Sequence, residues 1–114
     1  MTISETAADG LDQITLAGDA DLGAVPMFQA AMRKKVKGGT KHLVVDFSEV
    51  TFVNTPIWAV IVEYYQSTIK SGHSFAISGL KGRVEASFNI VRLGEFIQHF
   101  ESVAEARENL LKEP

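Results

Sequence analysis

The fold is decided by HLVVDFSEVTFVNTPIWAVIVEYY, residues 42–65, in which a short apolar strand runs through a polar turn directly into a long apolar helix. The predicted strand His42–Phe47 is valine-rich and apolar on both faces, which is typical of a strand buried in a parallel sheet. Thr55 is a preferred N-cap type, and Pro56 suits the first helical position because its missing N–H costs nothing there. The turn therefore brings one threonine hydroxyl to the positive end of a helix.

Upstream of this stretch, the pattern predicts a hairpin followed by one helix. Apolar and polar residues alternate in 2–6 and 11–17, and Asp9-Gly10 between them is a strong turn signal. The Gly-Asp-Ala-Asp segment 18–21 breaks the alternation. Apolar residues then recur at helical spacing from Pro26 until two glycines at 38–39 end the run.

Downstream of the turn, the pattern predicts further alternation of helices and strands. The predicted elements are a helix from Pro56 to about Lys70, a strand Phe75–Ser78, a helix from Lys81 or Arg83 to Leu93 with Gly94 as its stop, a weak strand Phe96–Phe100, and a last helix opened by the capping box Ser102–Glu105. The order ββαβαβαβα predicts a single α/β domain over residues 1–114. We expect a mixed sheet of four to five strands, covered largely on one side by about four helices.

Composition narrows the classes of function. A net charge of −3 gives no general electrostatic attraction to nucleic acid. The chain has no cysteine and shows no signal peptide, which favours a cytoplasmic location. Its longest apolar run, Ile57–Val62, is far shorter than the roughly 20 residues that a membrane span needs. We therefore predict a soluble protein without membrane insertion.

No residue pattern indicates catalysis or a cofactor. The three histidines lack metal-ligand spacing, no Gly-x-Ser-x-Gly elbow holds a nucleophile, and the glycine pairs lack the spacing of a phosphate-binding loop. We predict no catalytic residue, no metal and no cofactor, and hence a protein that is not an enzyme. Asp19 and Asp21 leave two interpretations open, namely a cation or acid–base pair, or a turn that caps the next helix.

Two further features allow a structural and a functional interpretation. Five cations at positions 33, 34, 35, 37 and 41 would either attract an acidic partner or anionic lipid, or form the solvated end of a helix. The helix from Pro56 is apolar on more than one face, and its neighbours are expected to cover most of it. Trp58, close to the helix start, is instead predicted to anchor an interface.

Three stretches of the chain form a recognisable set, namely LAGDADL (16–22), LVVDFSEVTFVNTPIWAVIV (43–62) and GLKGRVEASFNIVRLGEFIQHFESVAEARENL (79–110). Together they resemble the STAS domain of anti-sigma factor antagonists. Members of that family typically carry Gly-Glu-Leu-Asp, then a Leu-Asp-Leu-Ser strand, then a Phe-Ile-Asp-Ser-Ser-Gly turn opening a helix, and finally Ser-x-x-Glu-Ala. The resemblance covers nearly the whole chain.

The resemblance implies a regulatory domain that binds an anti-sigma factor, often itself a serine/threonine kinase, and is switched off by phosphorylation. Pro56 stands at the usual phosphoacceptor position and Asn54 replaces the aspartate. Thr55 aligns with the acceptor position of stressosome-type members and is the candidate phosphoacceptor. The resemblance further implies a phosphatase as a second partner and leaves a homo-oligomer open. The predicted partner-binding residues are Asp19, Asp21, Asn54, Thr55, Pro56, Ile57 and Trp58.

Two alternatives stay open at this point. The first is a docking subunit or scaffold that works without phosphorylation, similar to the STAS components of lipid-transport ATPase complexes or of a stressosome-like assembly, which Asn54 and Pro56 favour. The second is a small apolar or nucleotide ligand bound under the long helix.

Overall fold

Within residues 1–112, which the computed structural model describes, five strands form one mixed sheet in chain order. The strands are β1 (Thr2–Ala8), β2 (Leu11–Ala20), β3 (His42–Val53), β4 (Ser74–Ser78) and β5 (Gln98–Phe100). The helices are α1 (Val25–Lys37), α2 (Thr55–Ser71), α3 (Gly82–Ile90) and α4 (Val103–Leu110), with short 3-10 turns at Leu22–Ala24 and Leu93–Glu95. The predicted fold class and element order are confirmed.

The strand pairing follows from the connections between the strands. β1 and β2 are antiparallel, and the hairpin turn uses Asp9 and Gly10, both at positive φ (54° and 85°), as a two-residue turn requires. The pairs β2–β3, β3–β4 and β4–β5 are all parallel, and each is joined by a helical crossover. The hairpin and the βαβ unit predicted from the turn residues and the apolar runs are therefore both present.

Both faces of β3 are buried, as its unbroken apolar run predicts. On one face, Val45 and Phe47 belong to the main core cluster, together with residues from α1, α2 and α3. On the other face, Val44 packs in a smaller cluster with Ala106 and Leu110 of α4. Three helices thus cover one side of the sheet and a single helix covers the other.

β2 and β3 are longer than the sequence pattern indicates. The predicted ends were near Ala17 and Phe47, whereas the parallel pairing continues to Ala20 and Val53. Shifts in register interrupt the pairing on both sides of Ala17, and such bulges break the alternation of inward and outward side chains. As a result, Asp19 lies in a strand instead of an irregular segment.

Helix boundaries also differ from the prediction at two places. Asn54 is the N-cap of α2, so Thr55 and Pro56 are the first two helical residues. Proline is tolerated at the second position because that N–H has no partner within a helix either. Further along, α3 ends at Ile90, and Gly94 lies in the following 3-10 turn. Ser102 is the N-cap of α4, as predicted, since its hydroxyl accepts a hydrogen bond from the Glu105 N–H at 3.1 Å.

A buried carboxylate joins the middle of the sheet to the loop after β4. Asp46, which is 8% exposed, accepts hydrogen bonds from the hydroxyls of Ser48 (2.8 Å) and Ser78 (3.0 Å). Gly79 follows with φ +75°, and a Cβ there would lie 2.7 Å from both Asp46 Oδ1 and the Ser48 nitrogen. This close approach requires glycine at position 79.

We expect Gly79→Ala to destabilise the protein more than Gly72→Ala. Both glycines have φ +75°, but a Cβ at Gly72 meets no atom within 4 Å. Gly72→Ala should therefore cost only the backbone strain of about 1–2 kcal/mol. Gly79→Ala should cost about 1–3 kcal/mol more because Asp46 and Ser48 must move. Urea denaturation of both variants measures the difference, and equal costs would contradict the assigned close approach.

Candidate functional site

The candidate site is the turn between β3 and α2, at the carboxyl ends of the parallel strands. The backbone N–H of Asn54 donates a hydrogen bond to the carbonyl oxygen of Ala20 at 2.8 Å, which joins the turn to the end of β2. The Ile57 N–H donates to the Asn54 carbonyl at 2.9 Å and begins the first turn of α2. The turn is therefore held by backbone hydrogen bonds on both sides.

Thr55 is exposed at the amino end of this 17-residue helix. Its hydroxyl has no hydrogen-bond partner among residues 1–112, and Asn54 makes no side-chain cap either. No acidic residue lies in the first turn, so the positive end of the helix dipole is not compensated there. Asn54 and Pro56 are half-buried beside it. The arrangement can accept a negative charge at Thr55 without breaking an existing contact.

Asp19 and Asp21 are both exposed, and each makes a structural contact. Asp19 accepts a hydrogen bond from the Thr51 hydroxyl at 2.6 Å, across the β2–β3 pair. The Asp21 side chain accepts one from the Ala24 N–H at 3.1 Å and caps the 3-10 turn. The turn-and-cap interpretation therefore holds for Asp21, whereas Asp19 lies in β2 and bonds to the neighbouring strand. The two carboxylates nevertheless remain on the surface at the end of β2, which is paired with the end of β3 that leads to Thr55.

Ile57 and Trp58 are buried, which corrects their prediction as partner-binding residues. Their exposed fractions are 0% and 2%. The Trp58 ring lies 5.2 Å from Phe47 and 5.5 Å from Phe88, centroid to centroid. Its Nε1–H donates a hydrogen bond to Ser87 Oγ at 2.8 Å. An aromatic residue in the first turn of a helix suits a core contact as well as an interface, and here α3 covers it.

Two exposed apolar residues near the turn were missed by the sequence analysis. Leu22, directly after Asp21, is 63% exposed, and Phe52, paired in register with Asp19, is 39% exposed. The alternation pattern carried no signal for Phe52 because the bulges shift which residues of β3 face outward. We define the turn face as the exposed or half-buried residues at these strand ends, namely Asp19, Asp21, Leu22, Phe52, Asn54, Thr55 and Pro56.

Two cations of the basic run at positions 33–41 form ion pairs within this chain. Arg33 pairs with Glu63 at 2.9 Å and thereby lowers the pKa of that carboxyl. Lys35 lies 3.0 Å from both Glu5 and Asp12. The interpretation of this run as the surface of a helix end is supported for these two cations, since each is neutralised by this chain's own acidic residues.

Membrane-spanning and metal-binding features were also sought in residues 1–112. None of the helices there combines the length and the apolar character that crossing a bilayer requires. In the same part of the chain, no three side chains of histidine, cysteine, aspartate or glutamate come together as candidate metal ligands.

Comparison with known proteins gives a family and several similar folds. The sequence profile of the STAS domain family matches residues 5–106. No curated protein sequence matches the chain. Among solved structures, an anti-sigma factor antagonist from Mycobacterium paratuberculosis has a TM-score of 0.91 at 16% identity, with 97% of this chain and 94% of that chain covered.

Two further solved structures share the fold. The phosphorylated form of the Bacillus cell fate determinant SpoIIAA has a TM-score of 0.74 at 14% identity, covering 95% of this chain and 98% of that chain. A chain from the structure of the stressosome, a signal integration and transduction hub, has a TM-score of 0.74 at 18% identity, covering 94% of this chain and 95% of that chain.

We expect Ser87→Ala to destabilise the protein by about 1–3 kcal/mol because it leaves the buried indole N–H of Trp58 without a partner. The matched control is Ser71→Ala, an exposed serine whose hydroxyl bonds only to carbonyls of its own helix. That change should stay within about 0.5 kcal/mol. Urea denaturation followed by fluorescence of Trp58, the only tryptophan, measures both. Equal stability of the two variants would show that the Trp58–Ser87 hydrogen bond does not contribute.

Proposed function

The chain belongs to the STAS domain family, and we propose that it acts as an anti-sigma factor antagonist that binds an anti-sigma factor of the serine/threonine kinase type through the turn face. This binding would release the sigma factor that the partner holds. Support comes from the similar folds of proteins described as anti-sigma factor antagonists. The proposed role is binding rather than catalysis, and it belongs in the cytoplasm, where sigma factors act.

The observation that carries the proposal is the exposed Thr55 hydroxyl on a turn held by backbone hydrogen bonds. The Asn54–Ala20 hydrogen bond and the first turn of α2 fix its direction. Buried Ile57 and Trp58 hold the helix start against the core below it. A side chain presented in this way requires little reordering when a partner binds, which lowers the entropy cost of association.

Leu22 and Phe52 supply apolar contact area at the same strand ends. Interfaces gain most of their energy from a few apolar or aromatic side chains that become fully buried, with polar residues around them. Exposed Phe52 has the character of such a central contact, whereas Asp19 and Asp21 suit the polar rim. Phe52 thus takes the role of aromatic interface contact that the sequence analysis assigned to Trp58, because the Trp58 ring is buried in the core.

Phosphorylation of Thr55 would switch such an interface off. A phosphate carries about −1.5 to −2 charges, and burying it without a counter-ion costs several kcal/mol. Each 1.4 kcal/mol changes an affinity about tenfold. A kinase partner would thus end its own complex by modifying Thr55, and a phosphatase would restore it.

A second candidate function is a docking subunit or scaffold that works without phosphorylation. Asn54 and Pro56, which depart from the family's Asp-Ser-Ser turn, favour it, and a stressosome chain shares the fold. Such a domain would use the same turn face but would keep Thr55 unmodified.

We expect Thr55→Glu to weaken binding to the kinase-type anti-sigma factor about 100-fold, whereas Thr55→Val should stay within about fivefold of the unmodified chain. The glutamate places an uncompensated charge in the interface, and a loss of about 3 kcal/mol corresponds to that ratio. Isothermal titration with the purified partner measures both. If Thr55→Glu binds as tightly as Thr55→Val, the turn face is not the binding surface.

Thr55→Glu should also raise the free energy of unfolding by about 0.3–1 kcal/mol, because a negative charge in the first turn interacts favourably with the helix dipole. Urea denaturation at low ionic strength checks this effect. A stabilised variant that no longer binds separates loss of the interface from loss of the fold.

The two candidate functions differ in the fate of Thr55 itself. Under the switching function, incubation with the kinase-type partner and ATP should add one phosphoryl group to the intact mass, and Thr55→Val should abolish that addition. Tight binding by an unmodified chain after prolonged incubation would instead favour the docking function. Fragment mass spectrometry assigns the modified residue.

A further inference from the structure

A cavity of about 140 Å³, open to solvent beside the exposed residues Val36 and Ser71, lies at the far end of α2 from Thr55. It is formed by the carboxyl-terminal part of α2, the end of α1 and the segments that follow both helices. Its wall is mostly apolar and consists of Val36, Thr40, Tyr64, Ser67, Thr68, Ser71 and His73. Apart from His73, no ionisable group other than the Tyr64 phenol lines it. The cavity is therefore distinct from the turn face.

The four aliphatic hydroxyl groups in this wall all donate hydrogen bonds to other oxygens of this chain. Ser67, Thr68 and Ser71 donate to backbone carbonyls of α2 at 3.3, 2.7 and 2.9 Å. Thr40 donates to Asp12 Oδ2 at 3.2 Å. A hydroxyl group has one proton but two lone pairs, so each of these oxygens is left as an acceptor only. The wall thus offers acceptors to whatever occupies the cavity.

Tyr64 closes the inner side of the wall with its ring. The residue is 3% exposed, and the ring packs on Phe75 at 5.0 Å between ring centroids. Within residues 1–112, no buried side-chain nitrogen or oxygen lacks a hydrogen-bond partner, so the interior next to the ring leaves no polar atom unpaired. Burial and the nearby Asp12 raise the pKa of Tyr64 to about 12, so the phenol stays neutral at physiological pH.

We propose that this cavity binds a small neutral molecule with an apolar body of about the size of a benzene ring and one O–H or N–H donor. An apolar cavity of roughly 150 Å³ accommodates benzene, which sets the size of the body. The acceptor-only hydroxyls require a donor on the ligand. A charged ligand is disfavoured because no carboxylate, lysine or arginine in the wall would pair with it, and an unpaired buried charge is costly.

Phenol and fluorobenzene are the probes, because they have similar size and only phenol carries a donor. Titration of each into the isotope-labelled chain, followed by amide chemical shifts, gives the affinity and the location. We expect saturable shifts in residues 64–73 and 36–40 for both. Phenol should bind about threefold to tenfold more tightly, which is the ratio expected from one additional hydrogen bond.

The combined variant Ser67→Ala, Thr68→Val and Ser71→Ala removes the acceptors of α2 and largely keeps the shape of the wall. Because Thr40 is then the one aliphatic acceptor hydroxyl left in the wall, the preference for phenol should fall, while fluorobenzene affinity stays within about twofold. Thr6→Val, the same kind of change on exposed β1, is the control and should alter neither affinity. If the combined variant does not fold, Thr68→Val alone should reduce the preference.

Three outcomes would overturn the proposal. One is the absence of saturable shifts around the cavity with phenol at about 20 mM, a concentration at which even a ligand with a millimolar dissociation constant nears saturation. Another is equal affinity for phenol and fluorobenzene in the unmodified chain. The third is a preference for phenol that is undiminished in the combined variant or in Thr68→Val.

Discussion

The rest of the structure depends on the parallel pairing of β2 and β3 up to their carboxyl ends. The pairs Asp19–Phe52 and Ala20–Val53 end the pairing, with Ala20 and Val53 still in the main core cluster, and the Asn54–Ala20 hydrogen bond follows directly. A shift of the β3 register by one residue would exchange the side chains of its two faces and place Phe47 against α4 instead of in the main cluster. The position of Thr55 is therefore set by the core rather than by the turn alone.

This constraint divides the first turn of α2 into an outer and an inner part. Thr55 is exposed, whereas Ile57 and Trp58 face Phe47 and Phe88 in the main cluster. The indole also bonds to Ser87, so α3 and the start of α2 are connected directly. An aromatic residue near a functional turn can hold that turn in place by packing in the core, without contacting a partner.

The sequence was sufficient for the element order and the fold class, because these follow from strong local signals. Valine-rich β3, the Asp9-Gly10 turn and the Ser102 N-cap each have one physical interpretation, and all three are present. The ends of β2 and β3 were not predictable, since bulges remove the alternation on which a prediction relies. The burial of Trp58 was not predictable either, because it depends on α3, a distant element whose packing leaves no local pattern.

The same geometry indicates how a modification at Thr55 would act under the proposed function. A phosphate there would lie at the positive end of the α2 dipole, which favours the charge by about 0.3–1 kcal/mol. The side chains below it are packed and hydrogen-bonded, and no contact of Thr55 itself would be broken. Phosphorylation of Thr55 therefore requires no rearrangement of the fold. The switch would operate at the interface, where the partner must either remove water from the charge or dissociate.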